Sequence, residues 1–401
     1  MHTHASRIVT SFVRKHLQAI HACRRDLWGA ALNSVMNGCW LSLSCLARGL
    51  VKQGTLKAAL KRMDRLIGCP RVQSEARAVG EAMVRLLCRG SGPVVIAVDW
   101  SPVTPAGTFV ELRAALVRAG MGRGLTLYQE VHALCKLSNP QVERRFLNTL
   151  HAWMPQDASV VILTDAGFHQ PWFAHVERLG WGWVGRVRSG GGHLSQDQEH
   201  WQDASGWFAK ATRQARRMSG CWLTKRHRLA CDVVLYRRRM KGGKRYGRAG
   251  HKVTPKARQE ARKSAHEPWL LAHSPSLAQM RADQIVAWYS RRMQIEENFR
   301  DHKSPVFGLG LRVSQSRSAS RLLALLLIGS IAAYLLWHIG QLAEAEGLHR
   351  RFKATTRSAR ELSLISLGLL MCAVHFAGIT QHALDSLYER IEIQRQKPGK
   401  R

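Results

Sequence analysis

Two short segments constrain the fold of this chain more than any other part of it. Val94-Val95-Ile96-Ala97-Val98 and Val160-Val161-Ile162-Leu163 are unbroken apolar runs dominated by β-branched side chains. A strand with one face in water alternates apolar and polar residues. These runs have no polar face, so both sides must be covered, as in the central strands of a sheet with helices on each side. Each run leads to an aspartate, Asp99 directly and Asp165 after Thr164. A carboxylate there is either a turn or helix cap, or a functional group at the crevice where open α/β sheets expose theirs.

The neighbouring segments extend this pattern. After Ser91-Gly92-Pro93 and the first run, strands are predicted at Phe109–Val117 and Leu125–Val131, separated by glycines 120, 122 and 124. A helix follows over Gln141–Trp153, then the second apolar run, a helix over Pro171–Leu179 and a strand at Trp183–Val187. The order β-β-β-α-β-α-β predicts an α/β fold with a mixed sheet flanked by helices. Ser189-Gly190-Gly191-Gly192 marks an exit, and residues 189–272 read as a β-rich, basic insertion with strand-like runs at Trp222–Lys225 and Cys231–Tyr236. It holds a loop with Arg237, Arg238, Arg239, Lys241, Lys244, Arg245 and Arg248. Trp269–Ala272 is one more strand, and a single long helix is predicted from about Ser276 to His302. The expected segmentation is a helical region 1–90, a core in two parts at 91–188 and 273–320, the insertion 189–272, and a helical region 321–401.

Charge narrows the partner. Lys and Arg number 61 against 27 Asp and Glu, a formal net charge of +34. Such a surplus repels itself unless a polyanion neutralises it, and it is spread along the chain rather than gathered in the local tail typical of membrane-surface binding. DNA is the expected partner, through counterion release along its phosphates. Within 1–90, Gly54-Thr55 can cap a helix with Leu56, Leu60, Met63 and Ile67 on one stripe. Lys57, Lys61 and Arg65 form a second stripe, either an ordinary solvated face or a DNA-contacting one.

The run Leu322–Trp337 is 16 residues long between Arg321 and His338. That is short of the roughly 20 residues a membrane span needs, so a buried core helix is expected, and no membrane partner. The first residues lack the apolar core of a signal peptide. The nine cysteines are scattered without a CxxC or a zinc-like Cys/His spacing. Both point to a reducing, cytoplasmic setting.

Tyr289, Arg292, Glu296 and Lys303 are the most informative group. On a helix they fall near 0°, 300°, 340° and 320°, within about 60° of one another. Trp288, Ile295 and Phe299 flank them as an apolar strip. Glu297 lies about 100° from Glu296. An ordinary Arg–Glu pair four residues apart accounts for Arg292 and Glu296 but not for Tyr289 and Lys303 on the same line. Three carboxylates, Asp99, Asp165 and Glu296, suit hard divalent cations, and a pair of such ions suits phosphodiester chemistry. Arg292, Lys303 and the Tyr289 hydroxyl are then expected to hold phosphates.

This spacing, YSRRMQIEENFRDHK, resembles the Tyr-Arg-Glu-Lys signature of the insertion-sequence-four family of bacterial transposases. The similarity runs through FRDHKSPVFGLGLR and back to ILTDAGF and VVIAVDWS. It covers most of the chain from LKRMDRLIG to the helices after Leu322, and is nearest to the insertion-sequence-ten type branch. The resemblance implies an RNase H-like core interrupted by a β-rich insertion, with Asp99, Asp165 and Glu296 binding two Mg²⁺ ions that Mn²⁺ can replace. It also implies nicking at the element ends, hairpin formation, and strand transfer into target DNA by a homodimer on paired terminal inverted repeats. Trp269 matches the position of a tryptophan that stacks on a flipped base, where an ordinary core tryptophan is the alternative. Two other readings stay open: a catalytically inactive repressor that binds element ends, and a different RNase H-like nuclease such as a junction resolvase.

Overall fold

The computed structural model describes residues 4–50, 54–89, 92–190, 192–238, 267–356 and 360–392. Arg239, Lys241, Lys244, Arg245 and Arg248 of the basic loop lie outside these, as does the tail after Glu392. The strands are β1 (Val94–Pro102), β2 (Phe109–Leu116), β3 (Leu125–Ala133), β4 (Val160–Thr164), β5 (Gly182–Val187), β6 (His193–Ser195), β7 (Gln202–Asp203), β8 (Arg216–Leu223), β9 (Leu229–Tyr236) and β10 (Trp269–His273). The helices are α1 (His4–His16), α2 (Ala22–Met36), α3 (Leu43–Arg48), α4 (Leu56–Ile67), α5 (Val72–Leu87), α6 (Pro140–His151), α7 (Gln170–Arg178), α8 (Ala204–Trp207), α9 (Ala282–Arg291), α10 (Met293–Lys303), α11 (Ala319–Ala345), α12 (Leu364–Ala373) and α13 (Gln381–Glu392).

The chain divides into two compact units, one of Met1–Arg89, Trp100–Leu137 and Gln294–Arg401, the other of Gly90–Asp99 and Ser138–Met293. These cut across the expected segmentation, because the stretch 91–188 is shared between them.

In the second unit the sheet order is β1-β4-β5-β10-β9-β8-β6-β7. β1, β4 and β5 are parallel, and from β10 onward the neighbours are antiparallel. β4 is buried along its whole length, as its sequence requires. α6 is capped by the Asn139 side chain, which accepts from Gln141 and Val142, and buries Phe146, Leu147 and Leu150. α7 buries Trp172, Phe173 and Val176. Phe173 stacks on Trp183 at 4.2 Å, and its ring fills the space a side chain at Gly185 would need. The β-rich insertion is not a separate core, since β10 joins it edge to edge to β5.

In the first unit the core forms around α11, which is longer than the expected run at 27 residues. It is long and apolar enough to cross a membrane, yet 94% of its most apolar stretch is buried inside the protein, packed by α2, α4, α5, α12 and β3. Two glycines set the closest packing. A Cβ at Gly340 would collide with the Leu364 carbonyl, and one at Gly368 with the Leu336 carbonyl, so α11 and α12 meet backbone to backbone. β2 and β3 form an antiparallel hairpin with Glu111 opposite Val131 and Arg113 opposite Gln129. Thr55 caps α4 by accepting from Ala58, as expected. The buried stripe of α4 is Ala59, Met63, Leu66 and Ile67, while Leu56 is exposed.

Two expectations are corrected. β1 does not stop at Asp99 but runs to Pro102, carried on by Trp100, a good strand former, and ended by a residue with no N–H to donate. The single long helix is two helices, α9 and α10, separated at Arg292, whose N–H reaches only Tyr289 O.

Candidate active site

Asp99 and Asp165 are carried by neighbouring parallel strands. The β1–β4 register pairs Ala97 with Leu163; Asp99 lies two residues beyond Ala97 within β1, and Asp165 directly follows Thr164, the last residue of β4. Parallel neighbours are about 4.8 Å apart, and equivalent register positions point to the same face. Asp165 is fixed by its own turn, its Oδ1 accepting from Gly167 N at 2.8 Å. Asp99 Oδ2 accepts from Arg292 Nη1 at 3.2 Å, with both side chains largely shielded from water.

Arg292 caps α9, and Tyr289 stands one turn before it. Tyr289 is buried, and the Arg292 guanidinium lies 5.9 Å from its ring centre. Burial pushes the Tyr289 hydroxyl above its usual range, against the pull of Arg292 and Arg186. Arg186, near the carboxyl end of β5, pairs with Glu267 at 3.3 Å, and burial lowers its pKa. Trp269 opens β10 with its ring edge-on to Tyr289 at 5.0 Å, and Arg238 lies 5.9 Å from its ring centre. Two carboxylates, two arginines, a tyrosine and a tryptophan thus come from β1, the ends of β4 and β5, the end of α9 and the start of β10.

The remaining residues of the signature lie in the first unit. Glu296 is exposed on α10. Glu297 is held by Arg123 at 3.6 Å and by Arg300. Lys303, expected at the phosphates, is turned inward. It is buried, 2.8 Å from Glu111 and donating to Ser101 Oγ at 2.8 Å. Of the four signature residues only Glu296 is exposed; Tyr289, Arg292 and Lys303 are buried.

Lys57, Lys61 and Arg65 are exposed on α4, and Arg237 and Arg238 are exposed after β9. Arg237 also donates to the Ala211 and Phe208 carbonyls. Sequence reasoning missed Arg186, Glu111 and Arg113. The signal was present: Phe109-Val110-Glu111-Leu112-Arg113 puts opposite charges two apart on one face of an otherwise apolar strand.

Among the described residues, no three His, Cys, Asp or Glu side chains are grouped as a metal site. Asp99 and Asp165 do fit a hard cation in donor chemistry, being two carboxylates from neighbouring strands with the Asp99 oxygen already matched to a positive charge. All nine cysteines are free thiols, four of them buried.

Two aspartates carried by neighbouring parallel strands, with arginines beside them, are groups suited in charge to metal and phosphate ligands. Comparison with known families makes this specific. The Transposase DDE domain family matches residues 90–336, more than half of the chain, and the chain belongs to that family. Among solved structures it is similar to the piggyBac transposase synaptic complex with hairpin DNA, seen by cryo-EM. Identity is 11% and the TM-score 0.40, over 98% of this chain and 84% of that one. None of the curated proteins compared matches significantly.

Proposed function

We propose that the chain is a cut-and-paste DNA transposase of the insertion-sequence-four family, nearest its insertion-sequence-ten type branch, with an RNase H-like core. The aspartates Asp99 and Asp165 on and after the paired strands β1 and β4, in a chain that belongs to the DDE family, carry this reading. Asp99, Asp165 and Glu296 are the residues that would hold divalent ions, two Mg²⁺ with Mn²⁺ as a substitute. When bound, the ions supply positive charge to the attacked phosphate and the leaving oxygen.

The chain's own residues do the rest. Arg292 balances Asp99 and, with Arg186 and Tyr289, lines the strand ends where a phosphate oxygen would lie. Trp269 offers a face for an unstacked base near the end of the element. Lys57, Lys61, Arg65, Arg237, Arg238 and Arg239 contribute sequence-independent phosphate contacts. The reaction is nicking at each element end, attack of the freed 3′-OH on the opposite strand to give a hairpin, reopening, and joining to target DNA. It is carried out by a homodimer on paired terminal inverted repeats in the bacterial cytoplasm, on the nucleoid.

The test is a labelled duplex carrying the element's own end, incubated with and without Mg²⁺, wild type beside Asp99→Asn. A nick followed by a hairpin, from wild type alone and only with Mg²⁺, is the expected result. Specific binding by both proteins, with no cutting in Mg²⁺ or Mn²⁺, would instead make the chain an inactive end-binding repressor.

A further inference from the structure

The first unit hides an unusual amount of charge beneath α10. Glu111 and Arg113 on β2 are fully buried, as is His302, and Asp301 and Lys303 are nearly so. Charges are kept out of water at a cost of several kcal/mol each unless they are paired in good geometry, and here they are paired with each other. The Glu111 carboxylate takes Arg113 Nη2 on one oxygen at 2.7 Å and Lys303 on the other at 2.8 Å. Burial alone would raise its pKa, but Arg113 and Lys303 outweigh that and the net shift is downward, so it stays ionised.

Arg113 Nη1 donates to Asn298 Oδ1, which also accepts from Thr126 Oγ1 at 3.1 Å. The Arg113 guanidinium lies 4.9 Å from the centre of the Phe299 ring, and Lys303 Nζ 4.5 Å from it. Arg123 Nε holds Asp301 at 2.7 Å. At the start of the helix, the Gln294 side chain donates to Arg118 O at 2.8 Å and its carbonyl accepts from Gly124 N at 2.9 Å. Every turn of α10 is therefore tied on its inner side to the β2–β3 hairpin, while Glu296 faces outward. None of these partners is needed to fold a helix.

We infer that Glu111 and Arg113 are positioning residues for Glu296. They fix the rotation and height of α10, and so the place of the Glu296 carboxylate, through Lys303 and Asn298. This rests on the reading of Glu296 as a metal-holding residue. Lys303 then works from inside the fold, tying α10 to Glu111 and to Ser101, two residues beyond Asp99 on β1.

The experiment uses full-length Glu111→Gln, with Arg113→Lys as the second variant. Arg113→Lys keeps the buried charge count but loses the forked reach to both Glu111 and Asn298. Three quantities are read on the labelled end duplex: affinity by gel shift without metal, single-turnover cleavage, and Mn²⁺ binding by electron paramagnetic resonance. The expected outcome is affinity within about threefold of wild type and cleavage slower by roughly 100-fold. Half-saturating Mn²⁺ should rise about tenfold, as when a ligand's support is removed.

Unchanged Mn²⁺ binding and cleavage in soluble Arg113→Lys would overturn the inference, even if its melting temperature fell. Glu296→Gln run in parallel separates the two ideas. If it cuts like wild type, the reading of Glu296 fails. If it is inactive while Arg113→Lys matches wild type, only the positioning role fails.

Discussion

The adjacent acids Glu296 and Glu297 give the sharpest test of which carboxylate does the chemistry. Glu297 is 28% exposed and shared between Arg123, at 3.6 Å, and Arg300. Partly exposed pairs of this kind contribute about 0.2–1 kcal/mol each, so Glu297→Gln should cost about 1 kcal/mol of stability. In a chain of 401 residues that lowers the melting temperature by about 1 °C, and cleavage should stay within about threefold of wild type. Glu296 is exposed, and replacing its carboxylate by an amide should cost no more than about 1 kcal/mol of stability. Losing a charged metal ligand should slow cleavage at least about a thousandfold, or roughly 4 kcal/mol of transition-state stabilisation. Single-turnover cleavage of the labelled end in Mg²⁺, with thermal melting on the same preparations, measures both. Loss of cleavage in Glu297→Gln with activity retained in Glu296→Gln would refute the reasoning.

Two other substitutions probe separate parts of the molecule. Trp269→Ala removes the indole that opens β10; a base stack of about 1–3 kcal/mol is lost, so nicked DNA should accumulate relative to hairpin on denaturing gels while nicking continues. Gly368→Ala forces a methyl group against the Leu336 carbonyl, and overpacking of this kind costs about 1–3 kcal/mol, to be read as a lower denaturant midpoint at unchanged slope.

The central strands were legible because they are local: an unbroken β-branched run has one good use in a fold of this class. The place of Asp165 just after β4 was legible for the same reason, whereas the continuation of β1 past Asp99 to Pro102 was not. The division of the predicted long helix was not legible. No glycine or proline marks it, and at the break Arg292 bonds Asp99 while Gln294 bonds Arg118 and Gly124, all distant in sequence. The burial of Lys303 was not legible for the same reason. A line of charge on a helix reads as facing solvent or DNA, whereas Glu111, nearly two hundred residues earlier, gives the ammonium a buried partner. Of the insertion's strands, β8 in part, β9 and β10 were visible from composition while β6 and β7 were not, and their joining to β5 through β10 depends on pairing that no local pattern records.

Asp301 and His302 are neighbours whose titrations oppose each other, and this has a measurable consequence. Burial raises the Asp301 carboxyl to about 6 despite Arg123. The folded state therefore holds that proton more tightly than the unfolded chain, whose value is about 3.9. This contributes stability at low pH that is lost as pH rises through about 6. Burial lowers His302 to about 3, so the folded state refuses a proton the unfolded chain accepts near 6.5. That contribution is full above about pH 6.5 and is lost as pH falls toward 3. Between pH 7.5 and 4.5 the first gains about 2 kcal/mol and the second loses about 3 kcal/mol, so this pair leaves wild type nearly level. Asp301→Asn removes the compensating half, and the variant should lose about 3 kcal/mol over the same interval. Urea denaturation of both proteins at the two pH values tests this. Parallel pH profiles would mean that folding does not shift the Asp301 carboxyl, and would remove the argument.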